Sequence, residues 1–335
     1  MEERHECPTL ALVVPCYNEE EMMETTIHTL VHVLDDLIVN SHIADDSFIL
    51  FVDDGSTDNT LHFIRNNKTN LVKGLKLAAN VGHQNALVAG LTYVTNKCDC
   101  AISLDADLQD DTTVIKKMVD DFKGGANIVY GLRDKRKTDS AFKRNTAQFY
   151  YRLMQKLGVK LVYNHADYRL VSNLVLRQLL KYKEVNLFLR GIFPKMGYTS
   201  TYVYYDRKTR AAGESKYPFR KMFSLAMNGI TSFSNVPLKI ITYIGFTIFI
   251  GSLVLSGWVL MVTLQGKNVP GWASITLPIY FIGGIQLLAI GILGEYMGKM
   301  YMESKGRPRF HIEEFINTTP PTLQKKKRTS IKSKI

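Results

Sequence analysis

The segment SLDADLQDD, at residues 103–111, carries three oxygen-bearing side chains at alternate positions directly after an apolar run. If the strand continues through the segment, Asp105, Asp107 and Gln109 point to the same side, because alternate residues of a strand share a face. Carboxylate and amide oxygens suit Mg²⁺ or Mn²⁺, which also bind substrate phosphates. The pattern therefore predicts a metal site at this strand end, with solvated acidic loop residues as the alternative.

Two other apolar runs also end in polar side chains. FVDDGSTDNT contributes Asp53 and Asp54, and PCYNEE contributes Tyr17 and Glu19. Adjacent carboxylates at a strand end can accept hydrogen bonds from a base or a ribose, whereas the alternative is a simple helix cap. Because ligands of open α/β sheets bind at the carboxyl ends of the strands, these groups are expected to form one crevice.

The elements that position these groups follow a βαβ rhythm, which predicts an α/β fold with a mostly parallel sheet. Apolar residues at helical spacing predict a helix from about residue 19 to residue 39. The strand candidates are TLALVVP (9–15), FILFVDD (48–54), LVKGLKLAA (71–79), CAISLDAD (100–107) and NIVYGLR (127–133).

Two long apolar runs, 239–264 and 273–297, each exceed the ~20 residues that a membrane-spanning helix needs. Lys and Arg crowd their outer flanks, which predicts a transmembrane hairpin with both termini in the cytosol; a buried helical pair is the alternative. The net charge of +11 suits an acidic membrane surface, and no nucleic-acid-binding module accompanies it. The four cysteines have no metal or disulfide spacing and are read as reduced thiols.

The predicted organisation has four parts. These are a cytosolic α/β domain at 1–216, an amphipathic juxtamembrane segment at 217–236, two transmembrane helices within 237–300 (about 239–264 and 273–297) and a basic, partly disordered cytosolic tail at 301–335.

The motifs PCYNEE, VDDGSTD, NVGHQNALVAG and DADLQD, in this order and at these separations, resemble the family 2 glycosyltransferases of the GT-A fold. DYRL, RKTRAAGESKYP and the tail GEYMGKMYMESKGRPRF are similar to the bacterial membrane-bound branch of the dolichyl- and undecaprenyl-phosphate sugar transferases. The resemblance covers nearly the whole chain. It implies a Rossmann-like GT-A catalytic domain followed by the membrane hairpin.

The resemblance also implies site residues. Those for the nucleotide-sugar are Pro15, Tyr17, Glu19, Asp53, Asp54, Asn80, Gly82, Asp105, Ala106, Arg210 and Lys216. Those for the metal and the diphosphate are Asp105, Asp107 and Gln109, in agreement with the strand argument.

Arg133 and Arg144 match the arginines that hold the acceptor phosphate in the family, a task that suits the planar guanidinium fork. Gln148 departs from the pattern, because related sequences have a serine there. The implied catalytic residues are Asp107 and Asp167. Asp167 either orients the acceptor or acts as a base; the alternative is a structural role, in which it pairs with Arg169 or caps the next helix.

The implied reaction is inverting transfer of a hexose or N-acetylhexosamine from a nucleotide-sugar, UDP-glucose or UDP-N-acetylglucosamine, to a polyprenyl phosphate such as undecaprenyl phosphate. The product would be a lipid-linked sugar donor for cell-envelope glycosylation, made by a multi-pass protein of the cytoplasmic membrane that forms a homo-oligomer such as a tetramer. The alternatives are a GDP-mannose-dependent mannose synthase and a catalytically silent nucleotide-binding scaffold. A processive polysaccharide synthase is disfavoured, because both tryptophans lie in the hairpin region rather than in a Q-x-x-R-W motif.

Overall fold

A computed structural model describes residues 6–133, 165–184, 188–206, 236–265 and 271–317. Within these ranges one eight-stranded sheet has the order β7-β5-β6-β4-β1-β2-β3-β8. The strands are β1 (Leu10–Cys16), β2 (Phe48–Asp53), β3 (Val72–Leu77), β4 (Cys100–Ser103), β5 (Ile128–Arg133), β6 (His165–Ser172), β7 (Ser200–Tyr205) and β8 (Ile312–Asn317). The helices are α1 (Glu20–Val39), α2 (Thr60–Arg65), α3 (His83–Val94), α4 (Ile115–Lys123), α5 (Asn173–Leu179), α6 (Leu189–Lys195), α7 (Val236–Leu264) and α8 (Trp272–Ser304).

The centre of the sheet consists of the parallel strands β3, β2, β1 and β4. Every residue of β1 and β2 is buried, as expected for parallel strands covered on both faces. Helices α1 and α4 pack on one face of the sheet, and helices α3, α5 and α6 pack on the other. The predicted α/β class and the first helix are confirmed, and all five predicted strands are present, although β4 ends at Ser103 rather than at residue 107.

Three strands of the sheet were not predicted. Strand β6 runs antiparallel to both of its neighbours, β4 and β5. Strand β7 pairs with β5 in parallel, and β8 pairs with β3 in antiparallel orientation. Four of the seven strand pairings are therefore parallel, so the sheet is mixed.

Strand β8 lies inside the region 301–335 that was predicted to be a basic tail, and it brings the chain back to the sheet after α8. Ile316 is buried against Gly74, and the ring of Phe315 stacks on Tyr93 with 4.8 Å between centroids. Lys76 Nζ lies 2.7 Å from Glu313 Oε1. Exposed ion pairs of this kind are worth about 1 kcal/mol or less, so the pairing of β8 does not depend on this contact alone.

The two C-terminal helices are long and carry many exposed apolar side chains. Among the described residues, one helical segment, Phe281–Ser304, is long and apolar enough to cross a membrane by length and composition. The second span of the hairpin, 239–264, falls on helix α7 and stays a prediction. Apart from Val236, the predicted juxtamembrane segment lies outside the described residues.

Candidate active site

The loops that follow β2 and β3 are joined by Asp54. Its carboxylate accepts the backbone N–H groups of Val81, at 2.8 Å, and of Gly82, at 2.9 Å. Burial raises the pKa of Asp54, while these two hydrogen bonds act to lower it. Gly55 has a φ of +70°, and a Cβ there would lie 2.9 Å from the backbone of Asn80, so only glycine fits this approach. The predicted nucleotide residue Asp54 thus organises the loop that begins α3.

Asp53 is fully buried at the end of β2, and burial raises its pKa although the N–H of Ser56 donates to Oδ1 at 3.3 Å. Its Oδ2 atom has no hydrogen-bond partner among the described residues. Tyr17, at the end of the neighbouring strand, is exposed and so is Asn80. A buried acceptor beside an exposed aromatic ring suits a nucleobase or a ribose.

The predicted metal residues lie in a loop, and the expectation that they continue the strand is wrong. Strand β4 ends at Ser103; the N–H of Leu104 still donates to Val13 at 3.2 Å, and the chain then turns. Asp107 Oδ1 accepts the N–H of Gln109 at 3.2 Å inside this turn. Residues 106 and 107 form a turn, and Leu108 after them has a left-handed φ of +50°.

Asp105 lies among other acids at the centre of the site. Loss of surrounding water raises the pKa of Asp105 to about 6; His83 opposes this, whereas the negative charges of Asp110, Asp167 and Asp107 add to it. Its side chain keeps 40 % of its surface exposed, so a bound ion could reach it. In the described ranges no three His, Cys, Asp or Glu side chains are already arranged around one metal position. A cation would therefore need further oxygen ligands, from Gln109, water or substrate.

Asp167 is held by two arginines. Its Oδ1 accepts from Arg169 Nη2 and, at 3.3 Å, from Arg190 Nε, and its Oδ2 accepts from Arg190 Nη2 at 2.9 Å. Burial would raise the pKa of Asp167, but Arg190 and Arg169 outweigh it and hold the pKa well below its usual range. The pairing with Arg169 that was kept as an alternative is therefore present. His83 connects this cluster to the acids, because its Nε2 lies 3.8 Å from Asp167 Oδ2 and 3.5 Å from Asp105 Oδ1.

Arg133, predicted to bind the acceptor phosphate, lies at the end of β5 with a quarter of its side chain exposed. Its Nη2 is 3.3 Å from Asp110 Oδ1, and its Nε donates to the hydroxyl oxygen of Tyr205 at 3.3 Å. The hydroxyl of Tyr205 donates in turn to Asp110 at 2.5 Å. The guanidinium is thus fixed at the same sheet edge as Asp105. Three further predicted residues, Arg144, Arg210 and Lys216, lie outside the described residues.

Sequence reasoning missed several residues of this site, namely His83, Arg190, Asp110 and Tyr205. A signal was available for Arg190, since it interrupts the apolar run FLRGIF, and a charge inside such a run is usually paired. For His83 the only signal in the sequence was its position at the start of a helix that follows a strand. Its partners, Asp105 and Asp167, are far away in sequence.

The family model "Glycosyl transferase family 2" matches residues 11–180. The "Uncharacterized glycosyltransferase YkoT" of Bacillus subtilis (strain 168) is 50 % identical over 333 residues, which is 98 % of each chain. The "Bactoprenol glucosyl transferase" of Shigella phage SfX is 38 % identical over 308 residues, covering 91 % of this chain and 98 % of that protein.

Among solved structures, mannosyl-3-phosphoglycerate synthase from Rubrobacter xylanophilus aligns over 79 % of this chain and 78 % of that one. The TM-score is 0.46 and the identity 12 %. A likeness of this size carries no argument about function.

Proposed function

The chain belongs to glycosyl transferase family 2, and from this membership we propose that it transfers a hexose from a nucleotide-sugar to a polyprenyl phosphate at the membrane. UDP-glucose is the proposed donor and undecaprenyl phosphate the proposed acceptor. The observation that carries the proposal is the sheet edge where acids and arginines meet, with Asp105 among several carboxylates and Arg133 fixed beside them. An acidic centre attracts a cation that binds a diphosphate, and a flanking guanidinium suits a second phosphate.

The relatives add the substrate class. Proteins named bactoprenol glucosyl transferase match this chain at 37–38 % identity over 98–99 % of their own length. The match extends through the C-terminal helices as well as the α/β domain, so the sequence similarity includes the helices that are predicted to cross the membrane. This supports a polyprenyl-linked acceptor and glucose as the transferred sugar.

The residues present fit a divalent cation. Asp105, Asp107 and Gln109 offer hard oxygen donors. The pKa of Asp105 is raised first by loss of surrounding water and then by the negative charge of neighbouring carboxylates, and a cation bound at this position would act to lower it. When bound, Mg²⁺ or Mn²⁺ would stabilise the charge that develops on the departing nucleoside diphosphate. We assign these three side chains as its ligands.

The nucleophile is an oxygen of the acceptor phosphate, which is ionised at neutral pH and needs no strong base. A bond forms between this oxygen and the anomeric carbon while the bond from that carbon to the diphosphate oxygen breaks, so the configuration inverts. Arg133 would orient the acceptor phosphate, and Asp53 with Tyr17 would receive the nucleoside. Both oxygens of Asp167 already accept arginine N–H groups, which favours an orienting role over a base.

The path of the chain supports a site close to the membrane. Helix α8 ends at Ser304 and β8 begins at Ile312, so the two points are at most about 28 Å apart along an extended chain. Ile312 pairs with Leu77, the last residue of β3, so β8 enters the sheet at the carboxyl edge that carries the site. We propose that α7 and α8 both cross the membrane, with the α/β domain and both termini in the cytosol.

The test is transfer of radiolabelled sugar by the full chain in lipid nanodiscs, followed by extraction of the lipid product. UDP-glucose, UDP-N-acetylglucosamine and GDP-mannose are offered separately with undecaprenyl phosphate and Mg²⁺ or Mn²⁺. We expect a glucosyl lipid that disappears with chelator and in Asp107→Asn, while Asp35→Asn, an exposed aspartate of α1, leaves transfer unchanged. If a product formed from GDP-mannose alone, the proposal that UDP-glucose is the donor would be wrong. If Asp107→Asn left transfer unchanged, the assignment of the metal ligands would be wrong.

A further inference from the structure

Basic side chains cluster where the chain leaves α8. They belong to two segments, 181–184 after α5 and 303–309 at the end of α8 and beyond it, and are Lys181, Lys183, Lys305, Arg307 and Arg309. We call these five residues the basic surface. The same two segments hold two acids, Glu184 and Glu303, so five cations against two carboxylates leave a net charge of +3. An excess of this kind attracts an anionic partner.

Contacts in the structure hold the two segments together. Arg309 Nη2 donates to the backbone oxygen of Tyr182 at 2.5 Å, and Tyr182 lies between the two lysines of its segment. Tyr182 and Phe310 pack against the same apolar core, on the face of the sheet that carries α3, α5 and α6. Lys305 Nζ lies 4.1 Å from the ring centroid of Tyr301. The five cations therefore belong to one surface although 120 or more residues separate the two segments in the chain.

Most cations of this surface are open to a ligand. Four of them are exposed and Arg309 is half-buried; the exposed ones are Lys181, Lys183, Lys305 and Arg307. In the part of the chain that the structure describes, the side chains of Lys181, Lys183 and Arg307 form no ion pair with a carboxylate. Their charges are therefore not neutralised by direct contacts with described residues.

The basic surface lies at the edge of the sheet that carries the candidate site. Strand β8, which follows the second segment, enters the sheet at this edge, because Ile312 pairs with Leu77 at the end of β3. The first segment leads into α6, whose second residue, Arg190, contacts Asp167 of the site. Residue 184 and the start of α6 at residue 189 are at most about 18 Å apart along an extended chain.

The apolar part of α8 ends at the same place. The helical segment Phe281–Ser304 is long and apolar enough to cross a membrane, and Lys305 follows it directly. Tyr301, which contacts Lys305, is 61 % exposed, and tyrosine is typical of the boundary between membrane and water. Lipid headgroups begin where such a helix leaves the hydrocarbon core. The phosphates closest to the basic surface are therefore those of the leaflet that α8 leaves.

We propose that the basic surface binds the headgroups of anionic phospholipids and thereby holds the candidate site toward the cytosolic leaflet. The partner is the bilayer rather than an acidic protein, because the surface is continuous with a helix apolar enough to enter a membrane. The inference rests on the proposed crossing of the membrane by α7 and α8, and it does not depend on which sugar is transferred.

The test measures, by mass spectrometry, how fast lysines of the full chain are acylated. Nanodiscs of phosphatidylcholine alone are compared with nanodiscs that also contain about 30 % phosphatidylglycerol. Lys181, Lys183 and Lys305 should react roughly fivefold more slowly in the anionic discs, which is the factor for the attraction of one lysine to such a surface. In about 1 M salt, where the Debye length falls to about 3 Å, the difference should disappear.

The matched controls are Lys68 and Lys97, two exposed lysines at the opposite edge of the sheet. Lys97 also lies over an aromatic ring, with Nζ 3.2 Å from the ring centroid of Tyr93, as Lys305 lies over Tyr301. Both control lysines should be acylated at the same rate in the two kinds of disc. If they slowed as much as the basic surface, the effect would be a general one of bilayer charge, and the inference would be overturned.

A double variant tests whether the cations act together. Lys181→Gln with Lys183→Gln should reduce the protection of Lys305 in anionic discs, because fewer charges attract the surface to the lipid. Lys68→Gln with Lys97→Gln removes the same charge and should leave the protection of Lys305 unchanged.

Transfer of sugar is measured in the same discs, so that the two proposals can fail separately. Equal acylation of the basic surface in neutral and anionic discs would overturn the inference even if sugar is transferred. Absence of transfer together with slower acylation in anionic discs would contradict the proposed function and support the inference.

Discussion

Asp54→Asn should destabilise the loop between β3 and α3. The carboxylate of Asp54 accepts two backbone N–H groups, from Val81 at 2.8 Å and Gly82 at 2.9 Å, and it is almost fully buried. Asparagine retains one acceptor oxygen but turns an amide N–H₂ toward the other N–H, so one bond is lost. A hydrogen bond to a charged group is worth about 1.5–3 kcal/mol. The free energy of local opening should therefore fall by about 2 kcal/mol.

Amide hydrogen exchange measures this directly. Since 1.4 kcal/mol is a factor of ten, the amides of Val81 and Gly82 should exchange roughly 30-fold faster in Asp54→Asn. UDP affinity should fall with them, because the same loop carries Asn80 and leads into His83. Protection of these two amides within about twofold of wild type would refute the reasoning.

The matched control is Asp99→Asn. Asp99 also accepts a backbone N–H, that of Thr9 at 2.9 Å, but at the opposite end of β1 from the site. We expect faster exchange at Thr9, unchanged exchange at Val81 and Gly82, and unchanged UDP affinity. A fall in UDP affinity here would mean that general loosening of the sheet, rather than the loop, controls binding.

Three further outcomes are expected, each in thermal melts of the detergent-solubilised chain. Gly55→Ala should lower the melting temperature more than Gly125→Ala: both have positive φ, but only at Gly55 would the new Cβ meet backbone atoms. Ile316→Ala should destabilise the chain and reduce transfer, because Ile316 is 8 % exposed in β8, whereas Ile312→Ala, at 50 % exposure, should change little. The arginines hold the pKa of Asp167 low, so its stabilisation is present above about pH 4, the pKa of an unfolded aspartate, and is lost as the pH falls further. The deficit of Asp167→Asn should therefore shrink as the pH falls from about 4 to about 3; a deficit that grew over this interval would contradict this.

The parallel centre of the sheet could be predicted because its information is local. Strand β1 is apolar throughout, and β2 is apolar up to its last residue, Asp53. Strand β1 is followed by α1, whose apolar residues recur at helical spacing. The edge strand β7 alternates exposed with less exposed residues, whereas β8 is exposed except at Ile316, and both contain tyrosines or glutamates that a loop could equally hold. Pairing of β8 with β3 also depends on the return of the chain from α8, which no short window of sequence reports.

Only part of the candidate site could be predicted from the sequence. The acidic residues at strand ends could be predicted because they directly follow apolar runs, but their contacts could not. Arg190 reaches Asp167 across 23 residues of chain, and Tyr205 reaches Asp110 across 95. Partners separated by such distances are determined by packing of the elements. The strand argument for Asp105 assumed the wrong local geometry, since β4 ends at Ser103 and Asp105 lies in the loop that follows it.

The orientation of β6 explains how one edge gathers both signs of charge. A parallel strand presents its last residues at the carboxyl edge, and β1, β2 and β4 bring their polar groups there in this way. Strand β6 runs in the opposite direction, with Arg169 opposite Ser103 of β4, so its first residues meet that edge instead. Asp167 therefore lies beside the loop of Asp105 although it begins a strand, and the Ser103 hydroxyl fixes it by donating to its carbonyl at 2.5 Å. The antiparallel direction of β6 thus brings a carboxylate held by arginines to the same edge of the sheet as the acidic crevice.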